Sequence, residues 1–384
     1  MVELLTILSN IISIPDPISL ILIVVGLCFI YLGSRKGLEP LMLVPIGFGI
    51  LLGNIPLSGL NDPPYGLLYL IREKLLITEV LPCLAFLTIG TMMDFRPLLK
   101  RPWLLLFGVS GQSGVIFALV LALLLGFNFR EAIAVGIIGC ADGPTAIFVS
   151  SRYAPHLLGA VGLAAYTYIS MVPLIQVPLM RALISRKEMG IRMPMTSGED
   201  VSDLVVIAFP IILILVSMIF IPGGLPLIGM LALGNFLRES GVTEFMERYN
   251  KTFSTVLTDL VTFLLGLSVG STLSSKIITA SPDLPFKVLI VFTLGVVAFA
   301  GDIIFGILVG KVVSKLSRGR INPAIGASAN SAFPISARVV QREVSRVSPG
   351  NIVLMYSITT NLAGQITSPI FAGIIITLIE SLGI

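Results

Sequence analysis

The chain has 384 residues, of which 55% are hydrophobic and only 12% are charged, and a mean hydropathy of +1.00 excludes an ordinary soluble globular domain. Apolar runs of bilayer-spanning length recur along it, so the composition indicates an all-α polytopic membrane protein. The net charge of +4 does not indicate a nucleic-acid partner, because most basic residues lie in predicted loops on one membrane face.

The apolar runs predict about ten membrane-spanning helices. In chain order they lie near 17–33, 38–57, 76–94, 103–127, 156–180, 203–220, 224–238, 254–275, 286–313 and 350–379. Two apolar stretches remain, 132–151 and 321–337, and each is short and interrupted by Gly, Pro and polar residues. We expect both to be re-entrant hairpins, which enter the membrane and leave it on the same side.

The basic residues give the predicted orientation. With both broken stretches re-entrant, 19 of the 25 Lys and Arg residues fall on one face and six on the other. The positive-inside rule makes the richer face cytoplasmic and places both chain ends outside. Treating 132–151 as a full span would spoil this bias, so the first hairpin is expected to enter from outside and the second from the cytoplasm.

The two broken stretches have similar surroundings. "AFLTIGTMMDF" and "FLLGLSVGSTL" each precede a long span, a broken stretch and a helix, and Asp142 to Tyr166 spans 24 residues where Ser331 to Tyr356 spans 25. We therefore predict inverted repeats with a transport site between them near the middle of the membrane. The predicted division is scaffold helices 1–75, core repeat 1 over 76–184, linker and scaffold helices 185–253, and core repeat 2 over 254–384.

Asp142, in the broken stretch "GCADGPTAIF", is the central candidate for the site. A lone carboxylate in hydrocarbon costs about 2.5–3.5 kcal/mol on insertion scales, so a cation, a proton or a positive partner is expected to offset it. The sequence has no dense acid cluster for Ca²⁺ and no His and Cys set for Zn²⁺, so a hard monovalent cation is favoured. A structural cap without an ion is the alternative.

Neutral oxygens are expected from the last span. Ser357, Asn361 and Gln365 recur every fourth residue there and share one helix face. The same stripe would also suit hydrogen bonds between helices, so that alternative stays open.

The second broken stretch adds further polar side chains. It contains Asn322, Ser328, Asn330 and Ser331, and Arg338 follows it directly. The first four supply oxygens of the kind that a monovalent cation needs. Arg338 would also be unremarkable as a charge in a cytoplasmic loop.

Two tyrosines and a second acid complete the candidates. Tyr168 shares a helix face with Gln176, whereas Tyr166 is two residues away and is expected to point elsewhere. Simple packing is the alternative for Tyr168. Asp302 lies inside the span 286–313, where a structural partner and a proton site are both open interpretations.

The residues so far predict a cation-handling transporter, and a resemblance adds what drives it. The chain resembles the β subunit of the sodium-pumping biotin-dependent decarboxylases, which act on oxaloacetate, methylmalonyl-CoA or glutaconyl-CoA. The resemblance covers most of 80–180 and 320–370. The matching motifs are "TMMDFRPLL", "GCADGPTAIF", "AAYTYISMVPLIQVP", "INPAIGASANSAFPISARVV" and "TTNLAG".

The resemblance implies a membrane carboxybiotin decarboxylase that takes carboxylated biotin from a mobile carrier, releases CO₂, consumes a proton and exports Na⁺. It implies a multi-pass protein of the cell (inner) membrane with an elevator-like core moving against a scaffold, often as a homo-oligomer. The implied partners are a carboxyltransferase α subunit, a biotin carrier protein and a small membrane γ or δ subunit. Na⁺ is the implied ion, and biotin is carried on a partner subunit.

The resemblance also implies roles for individual residues. The family's functional positions fall on Asp142, Tyr168, Asn322, Gly326, Ser331, Arg338 and Asn361. It assigns Na⁺ binding to Asp142, Asn322, Gly326, Ser331 and Asn361. It assigns catalytic roles to Asp142, Tyr168, Ser331 and Arg338, with Arg338 holding carboxybiotin. Asn330 departs from the family pattern, in which a small or aliphatic residue is expected, and would add a ligand or a donor near the second tip.

Another class of function uses the same features. A secondary carrier, either a Na⁺/H⁺ exchanger or a Na⁺-coupled anion symporter, would also place one acid between broken helices. Such a carrier needs no biotin partner and moves ions without carboxybiotin. A purely structural membrane subunit is a third alternative, which the matched broken stretches disfavour.

Overall fold

The computed structural model describes residues 14–193, 201–240 and 244–383, and across these ranges the chain is helical without strands. Residues 1–13 of the predicted scaffold and 194–200 of the predicted linker lie outside the described part. The main helices are α1 (Pro17–Lys36), α2 (Pro40–Gly53), α3 (Val80–Met92), α4 (Leu105–Ser110), α5 (Ser113–Leu124), α6 (Phe129–Gly136), α7 (Gly143–Tyr153), α8 (Leu158–Leu183), α9 (Asp203–Phe220), α10 (Leu225–Glu239), α11 (Thr258–Thr272), α12 (Leu284–Leu316), α13 (Ile335–Val347) and α14 (Leu354–Leu382).

Short helical segments connect the main helices. Those of α type are Leu67–Ile71, Arg96–Lys100, Arg186–Met189, Glu244–Thr252 and Ser275–Ile278. Those of 3₁₀ type are Pro102–Leu104, Ile137–Cys140, Pro155–Leu157, Pro222–Gly224 and Pro323–Ser328, and those of π type are Arg72–Leu76 and Phe253–Leu257.

Each of the ten predicted spans contains a helix, but not every helix is long enough to cross a membrane alone. Seven segments of the described chain are long and apolar enough: Pro17–Lys36, Pro102–Leu124, Pro155–Leu183, Asp203–Phe220, Met246–Thr272, Leu284–Leu316 and Leu354–Leu382. The pair Leu67–Leu76 and Val80–Met92, bent by 65°, gives an eighth. The chain is thus an all-α polytopic membrane protein with seven or eight spans by length, against about ten predicted from hydropathy.

Ion pairs of the described residues gather at two ends of the helix bundle. One end holds Asp62–Lys276, the group Glu79–Arg152–Glu380, and the group Glu131–His156–Lys287–Asp283. The other end holds Arg96–Asp203–Glu239–Arg238, Arg181–Glu343–Arg346 and Glu188–Lys311. Every one of these pairs joins residues that the sequence assigns to the same membrane face.

The first broken element, which we define as residues 129–153, returns to the side from which it starts. It consists of α6, the 3₁₀ turn Ile137–Cys140 and α7. Near its start, Glu131 Oε1 lies 2.9 Å from Nε2 of His156, which follows its end. Because both ends meet in one ion-paired group, the segment is a helical hairpin around the predicted stretch 132–151, and its re-entrance into the membrane stays a prediction.

The second broken element, which we define as residues 322–347, also starts and ends at one side. The Nδ2 atom of Asn322, at its start, donates to the carbonyls of Met189 and Ile191, at 2.9 Å each. Asn351, just beyond its end, donates to the same two carbonyls at 3.3 and 3.0 Å. We call these four hydrogen bonds the asparagine clamp.

The sequence-based bounds of the second element were too short. The prediction of 321–337 covers the 3₁₀ segment Pro323–Ser328 and the tip, but the returning arm is the whole of α13. The basic residues of α13 were counted as loop charges, whereas its other face buries Ser336, Val340 and Val344. Because its basic residues were interpreted as a charged loop, the amphipathic helix α13 was not predicted.

Two pairs of helices cross at glycines without room for a side chain. A Cβ atom on Gly270 of α11 would lie 2.2 Å from the carbonyl oxygen of Ile46 in α2. Likewise, a Cβ on Gly234 of α10 would lie 2.0 Å from the carbonyl oxygen of Leu87 in α3. These crossings join predicted scaffold helices to predicted core helices in both halves. The division into scaffold and inverted repeats stays a prediction.

Candidate functional site

The tips of the two broken elements meet inside the protein. The backbone N–H of Ser331, in the second tip, donates to the carbonyl of Cys140, in the first tip, at 3.3 Å. The first tip turns through Ala141, a non-glycine residue at φ +53°, which costs free energy and is typical of functional turns. Both tips are buried, so the contact creates an enclosed polar region between the elements.

Asp142 lies in this region and has only neutral hydrogen-bond partners. Its side chain is 2% exposed. Its Oδ2 atom accepts hydrogen bonds from Thr145 Oγ1 at 2.6 Å, Ser368 Oγ at 3.0 Å and Gln365 Nε2 at 3.3 Å. Among the described residues it forms no ion pair. A buried carboxylate with this set of partners is stabilised by dipoles and still lacks a compensating positive charge.

One face of α14 contacts both tips. Asn361 Nδ2 donates to the carbonyl of Asn330 at 2.6 Å, and Ser331 Oγ donates to the carbonyl of Gly364 at 2.9 Å. One turn further on, Gln365 and Ser368 reach Asp142. The helix therefore holds Asp142, Ser331 and Asn361 close together.

One neutral oxygen in this region is free to bind a ligand. Asn361 Oδ1 is buried and has no hydrogen-bond partner among the described residues. Buried polar atoms normally find partners, so an unpartnered amide oxygen close to a buried carboxylate, at the junction of two broken helices, suits a hard cation.

Asn330 holds the second tip in shape and does not add a free ligand. Its Nδ2 atom donates to the Ala327 carbonyl at 3.2 Å and to Ser336 Oγ at 3.1 Å, while its Oδ1 atom accepts from the Ala332 N–H at 3.1 Å. Ser336 Oγ in turn donates to Gln176 Oε1 of α8 at 3.0 Å. Asn330, which departs from the expected family pattern, therefore holds the turn together by hydrogen bonds.

Asn322 and Gly326 lie at the start of the second element and in its 3₁₀ segment Pro323–Ser328, which leads to the tip. Asn322 forms half of the asparagine clamp, and its Oδ1 atom accepts from the Ala324 N–H. A Cβ on Gly326 would lie 2.0 Å from the carbonyl oxygen of Gly306, so this glycine allows the arm to pack on α12. Pro323, the residue after Asn322, packs against Gly310 of α12. Gly310 lies two turns, or about 12 Å, along α12 from Asp302.

Arg338 lies in the first turn of α13, directly after the second tip. Its side chain is exposed and forms no ion pair with the described residues. From the sequence, Arg338 was expected directly after the hairpin 321–337, as a carboxybiotin ligand or as a charge in a cytoplasmic loop. The structure instead places it nine residues before the end of α13, about 13 Å along that helix, within an arm of the element.

The two tyrosines of α8 differ from their expected orientations. The Tyr168 hydroxyl donates to the carbonyl of Phe292 in α12 and does not contact Asp142. Tyr166, which was expected to point away, has its ring against the backbone of Gly143, where a Cβ would lie 2.0 Å from Cε1. Its buried hydroxyl has no partner and lies within electrostatic reach of Asp142.

Thr145 and Ser368 are site residues that the sequence analysis did not name. Thr145 follows Asp142 by three residues at the start of α7, and Ser368 follows Gln365 by three on α14. Both spacings put the second residue on the face of the first, so helix periodicity contained this signal. The orientation of Tyr166 could not be predicted, because it depends on how α8 packs against α7.

Residues 18–379 match a family described as the Na⁺-transporting oxaloacetate decarboxylase beta subunit. The chain belongs to this family. It is 41% identical to the glutaconyl-CoA decarboxylase subunit beta of Acidaminococcus fermentans, an alignment covering 94% of this chain and 92% of that protein. It is 40% identical to the methylmalonyl-CoA decarboxylase subunit beta of Veillonella parvula, covering 94% and 93%. It is 37% identical to the oxaloacetate decarboxylase beta chain 2 of Salmonella typhi, covering 93% and 94%.

The family membership confirms the resemblance and fixes the class of function. The protein is a multi-pass membrane subunit of a Na⁺-transporting decarboxylase, in which decarboxylation is coupled to Na⁺ export. The beta subunits of these decarboxylases work together with other subunits. An independent secondary carrier is therefore disfavoured, although it would share the broken elements.

Proposed function

We propose that Na⁺ crosses the membrane through the region where the two tips meet, with Asp142 as its anionic ligand. The observation that carries this proposal is the Asp142 carboxyl, buried between two re-entrant elements and bound only by neutral donors. Asn361 Oδ1 and the hydroxyl of Ser331 supply neutral oxygens. Na⁺ provides the positive charge that the carboxylate otherwise lacks.

Asp142 exchanges Na⁺ for a proton during the cycle, because either one neutralises the same carboxylate. Each conformational state of the core then binds Na⁺ with a different affinity, and decarboxylation favours the state that releases it outside. Thr145, Gln365 and Ser368 remain as neutral donors in both cases and limit the cost of exchange. Asn322 and Gly326 position the second element rather than touching the ion.

Biotin, held by a partner subunit, supplies the carboxyl group whose loss as CO₂ drives the cycle. Arg338 fits this group, because it is exposed next to the second tip without an ion-pair partner among the described residues. Its guanidinium would hold the carboxylate of carboxybiotin by a charge-assisted hydrogen bond. Protonation of biotin as CO₂ leaves is general-acid work, for which Tyr168, at the family's functional position, and Tyr166, whose ring packs against Gly143, are candidates.

The proposal extends to the subunits, the oligomeric state and the membrane of the assembly. The partners are a carboxyltransferase α subunit, a biotin carrier protein and a small membrane γ or δ subunit, and the chain forms a homo-oligomer in the inner membrane. The re-entrant elements and α14 belong to a moving core, while α1, α2, α9 and α10 belong to the scaffold. Exposed apolar side chains cover α1 and α9, as expected for helices at the lipid boundary.

The Asp142→Asn variant tests the ion site in the complete decarboxylase reconstituted into vesicles. We expect loss of Na⁺ uptake and of Na⁺-dependent decarboxylation, because the amide keeps the volume and removes the charge that holds the ion. Radioactive Na⁺ uptake and CO₂ release are measured together.

The matched control is Asp62→Asn, which removes an exposed carboxylate paired only with Lys276 at the surface. This control is expected to pump at the native rate. Na⁺ uptake at the native rate by Asp142→Asn would show that the ion binds elsewhere.

A further inference from the structure

The described part of the chain buries five carboxyl groups, at Glu131, Asp142, Glu239, Asp302 and Glu343, and Glu239 pairs with Arg96 and Arg238. Glu131 pairs with Lys287 and Glu343 with Arg181, so both charges are compensated at the ends of the bundle. Asp142 belongs to the tip region. Asp302 is left as a fully buried acid without a role in the site described above.

Asp302 lies near the middle of the 33-residue α12 and has a single hydrogen bond. Its Oδ1 atom accepts from the backbone N–H of Gly114 at 2.7 Å. Its Oδ2 atom is buried and has no partner among the described residues. One neutral donor does not offset the cost of a charge at this depth.

The hydrogen bond to Gly114 explains the position of the side chain but not its acidity. Gly114 is in the first turn of α5, after the helix break at Gly111 and Gln112, and its N–H has no partner within the helix. A neutral Asn or Ser at position 302 would cap that N–H equally well. The feature that only an acid adds is a proton that can be gained and lost.

The surroundings of Asp302 provide no compensating cation. α4, α5 and the segment Pro323–Ser328, which all pack on α12, contain no titratable side chain. On the first broken element, the Cys140 thiol lies within electrostatic reach of both Asp302 and Asp142. The other titratable and charged groups on the helices packed against or forming this region are Arg130 and Glu131 on α6, Tyr166, Tyr168 and Arg181 on α8, and Lys287, Lys311 and Lys315 on α12 itself.

The donor set distinguishes a proton from Na⁺. A hard cation requires several oxygen ligands, as the tip region offers around Asp142. Asp302 is bound only by an N–H group, which repels a cation, and a proton neutralises a carboxylate without further ligands. The chemistry around the two buried acids is therefore different.

We propose that Asp302 is a second ion site of the core, which takes a proton where Asp142 takes Na⁺. Cys140 separates the two sites, so occupation of one acts on the other through a short electrostatic path. The inference rests on the proposed Na⁺ site for its place in the cycle. Loss of CO₂ breaks the N–C bond of carboxybiotin, and the electron pair left on the biotin nitrogen takes up one proton. A proton bound in the core can therefore be consumed by the biotin nitrogen.

The test uses Asp302→Asn in the complete, reconstituted decarboxylase. Asn keeps an oxygen for the Gly114 N–H and removes the exchangeable proton. We expect the native rate of Na⁺ uptake to fall at least about threefold along the alkaline limb of its pH profile, as Asp302 loses its proton, and the variant to lose that limb. An unchanged pH profile would show that Asp302 only caps the Gly114 N–H and exchanges no proton during turnover.

A spectroscopic measurement keeps the test independent of turnover and of Asp142. Infrared spectra of the resting, Na⁺-free protein are expected to contain C=O stretches of protonated carboxyls, and Asp302→Asn should remove one such band in both the native and the Asp142→Asn background. Asp302→Ser, which also caps the N–H, replaces Asn if that variant does not assemble. Absence of any such band that depends on residue 302 overturns the proposal, whatever happens at Asp142.

Discussion

At the residue scale, the tyrosines of α8 lie on opposite sides of one helix because two residues correspond to about 200° of rotation. Tyr168 packs against Gly295 of α12 and donates to a backbone carbonyl there. Tyr166 packs against Gly143, the residue after Asp142, with a hydroxyl that has no partner. The family pattern falls on Tyr168, whereas the geometry puts Tyr166 nearer to the ion site.

Replacement of each tyrosine by phenylalanine separates these roles. Tyr166→Phe removes an unpartnered buried hydroxyl, so we expect native thermal stability with a slower, pH-altered Na⁺ uptake. Tyr168→Phe removes a hydrogen bond, so we expect a loss of about 1 kcal/mol in the free energy of unfolding. Unfolding in detergent and pH profiles of uptake are measured for both. An unaltered profile for Tyr166→Phe would show that its hydroxyl takes no part in ion exchange.

The sequence predicted the identity of the central residues better than their contacts. Asp142 stands out because a lone acid beside Gly and Pro in an apolar stretch is physically costly. Asn361 and Gln365 follow from helix periodicity. The contacts of Asn322 could not be predicted, because its amide binds carbonyls more than 130 positions away in the chain, and no local pattern reports such a contact.

At the element scale, glycines control how closely the short helices approach their neighbours. α3 and α10 cross with Gly90 and Gly234 each against a carbonyl oxygen of the other helix, at 2.1 and 2.0 Å from the position of a Cβ. α2 and α11 cross similarly through Gly49 and Gly270, at 2.2 Å each. Small residues at both crossings therefore let the backbones of these helices approach closely, as is typical of helix packing in membranes.

Alanine substitutions within α10 test this packing. Gly234→Ala is expected to push α10 from α3 and lower the free energy of unfolding by about 1–3 kcal/mol, as overpacking does. Gly229→Ala, on the same helix with no atom within 4 Å of its Cβ position, is the control. The control should be neutral or stabilising by up to about 1 kcal/mol, because alanine favours the helix. Equal thermal midpoints for both variants would argue against a tight crossing.

The two broken elements differ in how clearly hydropathy separates them from their flanks. In the first, both arms are apolar and buried, so the stretch differs clearly from its flanks. In the second, the returning arm α13 has one buried face and carries Arg338, Arg342 and Arg346, so average hydropathy classed it as loop. The deciding property is the period of the apolar residues, not their number.

At the scale of the whole molecule, the charged groups form two layers separated by the apolar depth of the bundle. The 33-residue α12, about 50 Å long, connects Lys287 in one layer with Lys311 in the other. The C-terminal Glu380 pairs with Arg152, at the end of the first broken element. Both ends of the first broken element lie in the layer that contains Lys287. Both ends of the second lie in the layer that contains Lys311.

Labelling of single cysteines tests this arrangement in sealed cells, in an active background without Cys28, Cys83 and Cys140. Arg130→Cys and Pro155→Cys, at the two ends of the first element, should both react with an impermeant reagent from outside. Arg320→Cys and Pro349→Cys, at the two ends of the second, should react only after the membrane is opened. Reaction of one end of an element from each side would mean that the element crosses the membrane.

The asparagine clamp has a mechanical consequence for the segment that joins the two halves of the chain. Its acceptors are main-chain oxygens of Met189 and Ile191, so changes to those side chains leave the attachment intact, and only positions 322 and 351 can loosen it. A displacement of the second element would therefore move Met189 and Ile191, which follow α8 in the chain, together with it. Loosening the clamp by Asn322→Ala or Asn351→Ala would uncouple this short segment from the second element while leaving the contacts around Asp142 in place.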